Sequence, residues 1–304
     1  MELFLTMVQL QLMLFTLIII GIIVKKTGIL DAKSRKALSD LLINIILPCN
    51  IINSFIGDLA ISPELMKNCV IAVIISAFTQ LFATYGSRLF FLKYPREEKS
   101  VMSYGMICSN SSFIGLPIAG ALYSDLGVLY TSLYQLPIRI TMWTAGLALF
   151  TSVNRREAIK KVLIHPCIIS IWVGFALMLL PIRLPSFLTR TISAMSRCTI
   201  PISMIVVGSI LADANVKTMF SKKIIYFTVM RLVAFPLLIY AVLLPFHLDS
   251  LIVHIALIMS AMPAGSTTSI LADRYDCDAM FASQIVFVST LFSIVTIPLI
   301  CLLP

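Results

Sequence analysis

The sequence predicts an all-α polytopic membrane protein of ten transmembrane helices, arranged as two inverted five-helix repeats. Two observations of composition favour membrane helices: 59% of the 304 residues are hydrophobic and 12% are charged, and the mean hydropathy is +1.01. The third observation is that the apolar residues fall into runs close to the ~20 residues that cross ~30 Å of hydrocarbon. A soluble domain could not bury this much apolar surface, so the bilayer is the expected solvent.

Ten apolar runs, broken at charged residues or at proline-containing clusters, are the predicted membrane spans. They cover residues 3–24, 37–57, 68–92, 100–123, 127–150, 162–180, 191–212, 222–244, 251–272 and 279–303. Glu2 precedes the first run and Lys25 and Lys26 follow it, which reverses the charge order of a cleavable secretory signal. We therefore expect this run to be retained as the first span.

Positive charges are distributed unevenly among the connecting loops. Loops after odd-numbered spans hold 17 Lys and Arg residues, whereas loops after even-numbered spans hold three. Because Lys and Arg concentrate on the cytoplasmic side, we expect a multi-pass protein of the cytoplasmic (inner) membrane with both termini extracytoplasmic. The same topological excess explains the net charge of +9, so nucleic acid is not an expected partner.

Metal, disulfide and hydrolytic chemistry are not indicated by the sequence. The seven cysteines lie mostly inside apolar runs, without a CxxC pair or a histidine at ligand spacing. The spans contain no GxSxG, HExxH or paired-carboxylate arrangement, which are the signatures of common enzyme sites. The sequence thus predicts no cofactor, no metal site and no enzymatic activity.

Prolines recur at matching places in the two halves of the chain. Each half has one inside its second span, Pro48 or Pro201, and one inside its fourth, Pro117 or Pro263. Proline removes a backbone donor and clashes with the preceding turn, and in lipid the freed groups must be satisfied by protein or by a wet cavity. We therefore expect breaks in the fourth and ninth spans, whereas Pro236 is expected to be an ordinary kink.

These matching features predict an internal repeat. The first five-helix repeat is expected over residues 1–152 and the second over residues 162–304, joined by a short cytoplasmic linker at 153–161. Five spans per half is an odd number, so the two halves would have opposite orientations in the membrane. Broken helices at matching places in inverted halves indicate a binding site near the bilayer midplane.

Six strings in a fixed order and spacing carry a family resemblance. They are SNSSFIGLPIAG at 109–120, MWTAG at 142–146, HPCIISIWVGFAL at 165–177, IPISMIVVGSILA at 200–212, MPAGSTTSILADRY at 262–275 and ASQIVFVSTLFSIVTIPL at 282–299. With them the chain resembles the auxin efflux carrier family, which includes plant PIN-type exporters and bacterial malate or malonate permeases. The resemblance implies fourth and ninth helices that break and cross, with the substrate beside the crossing. It also implies an elevator-like motion of helices three to five and eight to ten against a dimeric scaffold of helices one, two, six and seven.

Small polar residues and glycines lie around the two expected breaks. Asn110, Ser111 and Ser112 are expected to precede the first break, which holds Gly115 and Pro117, and Ser266, Thr267 and Thr268 to follow the second, which holds Pro263 and Gly265. Exposed N–H groups at half-helix N-termini favour an anion, and glycine lets backbones approach closely. The polar side chains are candidates either to bind a carboxylate or to satisfy the loosened backbone. The chain departs from the family pattern at one place. Family members often have an asparagine shortly after the ninth-span proline, whereas this chain has hydroxyl residues, which cannot reproduce the paired geometry of a carboxamide. The resemblance therefore does not extend to auxin as the substrate.

Three arginines lie deeper inside predicted spans than any other basic residue, while no Asp or Glu lies near the centre of any span. Arg139 is close to the middle of the fifth span, where inserting Arg costs at least ~2.5 kcal/mol. Its forked donors match a carboxylate bidentately, so Arg139 is a candidate substrate ligand, with backbone carbonyls as the alternative partners. Arg197 lies near the external end of its span and is expected to snorkel, while the role of the deeper Arg231 stays open.

The predicted function is that of a secondary transporter for a small organic anion, working as a homodimer through helices 1, 2, 6 and 7 and surrounded by membrane lipid. The alternative is a Na⁺-coupled carrier like the bile acid symporters, which would share the crossing but favour polar or acidic Na⁺ ligands near the breaks. The spans offer no buried carboxylate for coupling to H⁺ or Na⁺, although hydroxyls and carbonyls also bind Na⁺. Substrate, direction and energy source are therefore open at this point.

Overall fold

The computed structural model describes residues 2–56, 62–151, 154–180, 184–212, 219–275 and 277–303. Within these ranges the chain is helical and contains no strand, and its single β-type contact is an antiparallel bridge between Ser109 and Ala264. The α-helices are α1 (Glu2–Lys26), α2 (Ala32–Leu41), α3 (Leu47–Ile56), α4 (Pro63–Phe90), α5 (Arg96–Ile107), α6 (Leu116–Thr141), α7 (Arg155–Leu163), α8 (Pro166–Leu179), α9 (Ser186–Arg197), α10 (Thr199–Leu211), α11 (Lys222–Val229), α12 (Phe235–Leu243), α13 (Ser250–Ser260), α14 (Thr267–Arg274) and α15 (Ala279–Cys301). Four π-helical turns lie at Leu42–Ile46, Ser111–Gly115, Met142–Gly146 and Met230–Ala234.

The described helices confirm the all-helical, membrane-embedded class. Six stretches are long and apolar enough to cross a bilayer, and they are Lys33–Ile56, Pro63–Phe90, Ser111–Leu149, Ser186–Ser209, Lys222–Phe246 and Ala279–Cys301. Two shorter apolar helices, α8 and α13, lie where the sixth and ninth spans are predicted. Every predicted span therefore overlaps a helix or a pair of helices, while the number of crossings and the inverted repeat stay predictions.

The chain divides into two compact units that interleave along the sequence. The first comprises Met1–Cys69, Ser112–Leu133 and Leu163–Asp213, and the second comprises Val70–Ser111, Tyr134–Val162 and Ala214–Pro304. Each unit draws on both halves of the sequence. In the first unit α1 packs on α10 so closely that a Cβ at Gly21 or Gly208 would overlap the facing backbone, which is how small residues let membrane helices associate.

Three prolines share one structural setting. Pro48, Pro117 and Pro236 are each the second residue of a helix that follows directly on a π-helical turn. A proline ring collides with the carbonyl of the preceding turn in a regular α-helix, and the wider π turn accommodates it without breaking the chain. The π turn before Pro236 carries the buried side chain of Arg231, so the kink expected at Pro236 lies beside a polar residue.

The fourth and ninth predicted spans are both interrupted. The first interruption falls at Cys108–Asn110, between the end of α5 and the π turn that opens with Ser111. Ser111 and Ser112 therefore follow the break, whereas the sequence places them before it. Pro117 lies further along, in α6, and does not break the helix, because the preceding π turn accommodates the proline ring. The second interruption separates α13 from α14 and contains Pro263 and Gly265.

Candidate functional site

The two interruptions of the second unit pair with each other through their backbones. The Asn110 N–H donates to the Pro263 carbonyl at 2.8 Å, and the Gly265 N–H donates to the Cys108 carbonyl at 2.8 Å. The N–H of Ala264 donates to the Ser289 Oγ of α15 at 3.2 Å. These bonds satisfy backbone groups that no helix can satisfy at this point. We call this paired segment, residues 108–110 with 263–265, the crossing.

The bonds of the crossing revise the expectation about ligand donors. The sequence predicts free backbone N–H groups at both breaks, but those of Asn110, Ala264 and Gly265 already have protein acceptors. A ligand at this position would therefore rely on side chains more than on these amides. The reason is that two broken segments side by side satisfy each other, which a sequence pattern examined one helix at a time does not predict.

Gly265 is required by the closeness of the two segments. A Cβ at this position would lie 3.1 Å from the Cys108 carbonyl oxygen and 3.3 Å from that of Ser109. Any side chain would push the segments apart and lengthen the bond from the Gly265 N–H. Gly115, in contrast, ends a π turn that begins at Ser111, the last residue of its segment of the second unit, while Gly115, Ser112 and Pro117 belong to the first unit.

Hydroxyl groups with unmet hydrogen-bonding capacity surround the crossing. The Thr268 hydroxyl is buried and has no hydrogen-bond partner among the residues that the structure describes, and the buried Tyr104 hydroxyl makes no hydrogen bond of good geometry there. The Tyr104 side chain lies near the Cys108 thiol and near Thr267. Buried polar groups left without partners are unfavourable in a medium of low dielectric constant. Their presence at the crossing therefore indicates a position for a polar ligand or water.

Arg139 adds positive charge to this region. Its side chain is half-buried, and Nη2 donates to the Gln135 Oε1 at 3.4 Å, a long hydrogen bond. The guanidinium also interacts electrostatically with Tyr104 and Cys108. The structure therefore brings Arg139 together with Asn110, Gly265 and the α14 hydroxyls in one compact unit.

Arg231 is the most buried of the three intramembrane arginines. Its side chain is 2% exposed, and its guanidinium carbon lies 5.2 Å from the centre of the Phe235 ring. It interacts electrostatically with Tyr134 and Cys108. Cys108 is thus within the electrostatic reach of both Arg139 and Arg231. The sequence leaves the role of Arg231 open, and its depth without an acidic residue nearby in sequence is the signal that points to it.

Arg197 has a different setting. It is the last residue of α9, in the first unit, and its side chain is exposed. An exposed guanidinium at a helix end agrees with the snorkelling expected from the sequence.

A polar seam joins α4 to the second half of α6, the part that carries Arg139. Ser76 donates to the Tyr134 carbonyl, the Tyr134 hydroxyl donates to Thr79 at 3.0 Å, and Thr141 donates to the Gln80 Oε1 at 2.9 Å. These bonds fix α6 against α4 on both sides of Arg139. The signal in the sequence is a series of hydroxyl and amide residues at helical spacing within an otherwise apolar third span, which hydropathy averages out.

No metal centre accompanies these groups in the part of the chain that the structure describes, where no cluster of three or more His, Cys, Asp or Glu could hold an ion. The polar groups at the crossing are donors of hydroxyl, carboxamide and guanidinium type. Such a set matches an anion with several acceptor lone pairs.

Comparison with known proteins adds an independent observation. A family model described as "Membrane transport protein" matches residues 6–162 and 155–301. An uncharacterized transporter of Methanocaldococcus jannaschii is 23% identical over 297 residues, which cover 95% of this chain and 96% of that relative. The similarity therefore extends over both compact units.

Proposed function

The chain belongs to the membrane transport protein family, the auxin efflux carrier family that its motifs resemble, and from this premise we propose that it carries a small organic anion, a carboxylate, across the cytoplasmic membrane. As a member of this family, the chain is a multi-pass membrane protein that acts in transport. The proposal concerns the cargo, the site and the motion. We also propose that both termini are extracytoplasmic, as the distribution of Lys and Arg among the loops predicts.

The observation that carries the proposal is the concentration of donors and positive charge at the crossing. Arg139 and Arg231 both lie within electrostatic range of Cys108, and the buried Thr268 hydroxyl has no hydrogen-bond partner in the described chain. A carboxylate supplies both the negative charge and the acceptor lone pairs that such a set requires. Neutral and cationic cargo would leave the guanidinium groups uncompensated in a medium of low dielectric constant.

We assign substrate contacts to the side chains at and beside the crossing. Arg139 would bind the carboxylate, since its two parallel donors match the two carboxylate oxygens. The polar residues of the second unit that would complete the site are Asn110, Ser111, Ser266, Thr267 and Thr268, whereas Ser112, in the first unit, stays a prediction from the sequence. Gly265 and Pro263 would keep the two segments close, and Gly115 and Pro117 would shape the helix that follows the first break.

The composition of the compact units supports an elevator-like mechanism. The second unit holds the crossing together with α5, α11, α12, α13, α14, α15 and most of α4. The first holds α1, α2, α3, α8, α9 and α10, from the predicted spans one, two, six and seven, and also Ser112–Leu133, which includes the first part of α6. We propose that the second unit moves as a body with its cargo, that the first is the scaffold of a homodimer, and that the ten spans form two inverted repeats.

Uptake into proteoliposomes tests this function. We propose a screen of labelled monocarboxylates, dicarboxylates, amino acids and indole acids with purified protein, each with and without a Na⁺ gradient. One or more carboxylates are expected to enter, and a strict Na⁺ requirement would favour the alternative of a Na⁺-coupled symporter. For the transported anion, Arg139→Ala is expected to abolish uptake without loss of membrane insertion, and Arg139→Lys to be poor, because a point charge loses the bidentate geometry.

The matched control is Arg197→Ala, which removes an exposed arginine from the end of α9. It is expected to transport at close to the wild-type rate. Wild-type uptake by Arg139→Ala, or transport restricted to cations and neutral solutes, would contradict the proposal.

A further inference from the structure

Arg231 presents donors that the described chain does not satisfy. Its Nε and Nη1 atoms are buried and have no hydrogen-bond partner among the described residues. Among the described residues, the Phe235 ring lies against it, and two neutral groups, the Tyr134 phenol and the Cys108 thiol, interact with it electrostatically. The Tyr134 hydroxyl already donates to Thr79. A buried guanidinium in such surroundings is strongly unfavourable unless an anion or an acceptor meets its donors.

A second unpartnered donor lies on the same face of the helix. Thr228 is three residues before Arg231, so the two side chains are neighbours along the helix surface. Its side chain is 4% exposed, and its hydroxyl has no partner in the part of the chain that the structure describes. The π turn Met230–Ala234 that carries Arg231 is a feature found frequently at functional sites.

Neighbouring contacts place this helix next to the crossing. Gly105 of α5 lies against Phe227, where an added Cβ would be 2.8 Å from the ring. Cys108, the first residue of the crossing, is within the electrostatic reach of Arg231. Arg231, in the π turn between α11 and α12, and Arg139, in α6, therefore both lie within electrostatic range of the same short segment.

We propose that Arg231 and Thr228 form a second anion-binding position beside the crossing, distinct from the one at Arg139. It takes one compact negative charge with acceptor lone pairs. That charge is either a second acidic group on the cargo or a separate small inorganic anion such as chloride. The proposal rests on the proposed function in taking the crossing as the cargo site.

The test measures the thermal unfolding midpoint of the purified full-length protein by the fluorescence of its two tryptophans. Chloride, acetate and malonate are each titrated at an ionic strength kept constant with the salt of a bulky sulfonate buffer, which carries no carboxylate, because an anion that binds the folded state raises the midpoint. Chloride and malonate are expected to stabilise the wild type. Arg231→Gln is expected to raise the apparent dissociation constant for chloride about tenfold or more, since it removes a charge-assisted contact.

Thr228→Val keeps the charge and the shape while removing one donor. It is expected to weaken chloride binding by about threefold to tenfold, and it carries the test if Arg231→Gln does not fold. Thr296→Val is the matched control, because the Thr296 hydroxyl on α15 is also buried without a partner in the described chain. It should leave the chloride response unchanged.

The source of the anion is separated by competition. If the position takes a second acidic group of the cargo, chloride competes with malonate, and Arg231→Gln binds malonate no better than acetate. If it takes an inorganic anion, chloride strengthens the binding of acetate and of malonate alike. No chloride response in the wild type, or an unchanged response in both Arg231→Gln and Thr228→Val, would overturn the proposal.

The two arginines also separate this inference from the proposed function. Arg139→Ala is expected to lose the acetate response and keep the chloride response, and Arg231→Gln to do the reverse. Loss of all anion responses in Arg139→Ala, with none lost in Arg231→Gln, would refute the second position and leave the cargo site standing. A chloride response that depends on Arg231 in a protein that carries no organic anion would refute the cargo site alone.

Discussion

Two pairs of helices bring their backbones close together, and they do so by different means. In the first unit, α1 meets α10 at Gly21 and Gly208, among apolar side chains such as those of Ile18 and Val206, which are buried. In the second unit, the broken segments of the crossing approach through backbone hydrogen bonds, and buried hydroxyls beside them have no partner in the described chain.

The difference shows how close approach in a membrane protein serves two purposes. A contact between glycines, surrounded by apolar side chains, gains dispersion energy from backbone packing and requires nothing else. A contact between broken helices exposes polar groups, and only part of them is satisfied by the facing segment. The remaining donors are available to a ligand, so we expect damage to the first contact to affect stability and damage to the second to affect transport.

The largest effect expected from this comparison is on the contact between α1 and α10. A Cβ at position 208 would overlap the Ile18 backbone, and backbone cannot yield as a flexible side chain does. Gly208→Ala is therefore expected to lower the free energy of unfolding by about 3 kcal/mol, at the upper end for overpacking, with a fall in the amount of folded protein. The measurement is the thermal midpoint and the yield after detergent extraction.

The matching change at the crossing is Gly265→Ala. The added Cβ would lie 3.1 Å from the Cys108 carbonyl oxygen, a tight contact that a small shift relieves. We expect about 1 kcal/mol of destabilisation but a loss of most uptake, because the shift moves the donors at the crossing. A variant that loses stability as Gly208→Ala does, while its folded fraction transports normally, would remove the distinction between the two contacts.

A smaller effect is expected from the prolines. Pro117→Ala and Pro263→Ala each return a backbone N–H near a break and should reduce uptake severalfold with nearly normal expression, because helical character is restored beside the site. Pro48→Ala is the matched control, since Pro48 also follows a π turn but lies in the first unit, where the buried residues of that turn are Leu42 and Ile46. Equal loss of uptake in all three would mean that the prolines act as general kinks.

The smallest effect is expected from Ser289→Ala, which removes the hydroxyl that accepts from the Ala264 N–H at 3.2 Å. One side chain–backbone bond of this kind contributes about 1 kcal/mol. Uptake is expected to fall no more than about fivefold, since the bonds from Asn110 and Gly265 still hold the crossing. Complete loss of uptake would show that Ser289 itself contacts cargo.

The sequence predicts the helices well because hydropathy and charge are summed over some twenty residues, and few local details alter such sums. The substrate contacts assigned to Arg139 and to the small polar residues stay predictions. The sequence places the first break after Ser111, near Pro117, whereas the structure has it before Ser111. The reason is that a π turn accommodates a proline ring without ending the helix. The sequence does not predict the pairing of Asn110 with Pro263, because such contacts depend on residues far apart in the chain.

Arg231 and Pro236 are a second case in which the sequence does not predict the structural setting of single residues. As single residues they suggest a costly charge and a kink, and only the structure shows that the π turn carrying Arg231 leads directly into the helix of Pro236. Equally, the hydroxyls of α4 disappear in an average hydropathy, yet they hold the half of α6 that carries Arg139. What the sequence does not give is therefore mostly hydrogen bonding between helices.

The central claim is that an organic anion binds at the crossing through Arg139. The most direct measurement is calorimetric titration of the purified protein with the anion that proteoliposome uptake identifies. The wild type is expected to bind one anion per chain, and Arg139→Ala to bind it at least about tenfold more weakly, as expected for the loss of a charge-assisted hydrogen-bonded pair. An unchanged dissociation constant in Arg139→Ala would contradict the account.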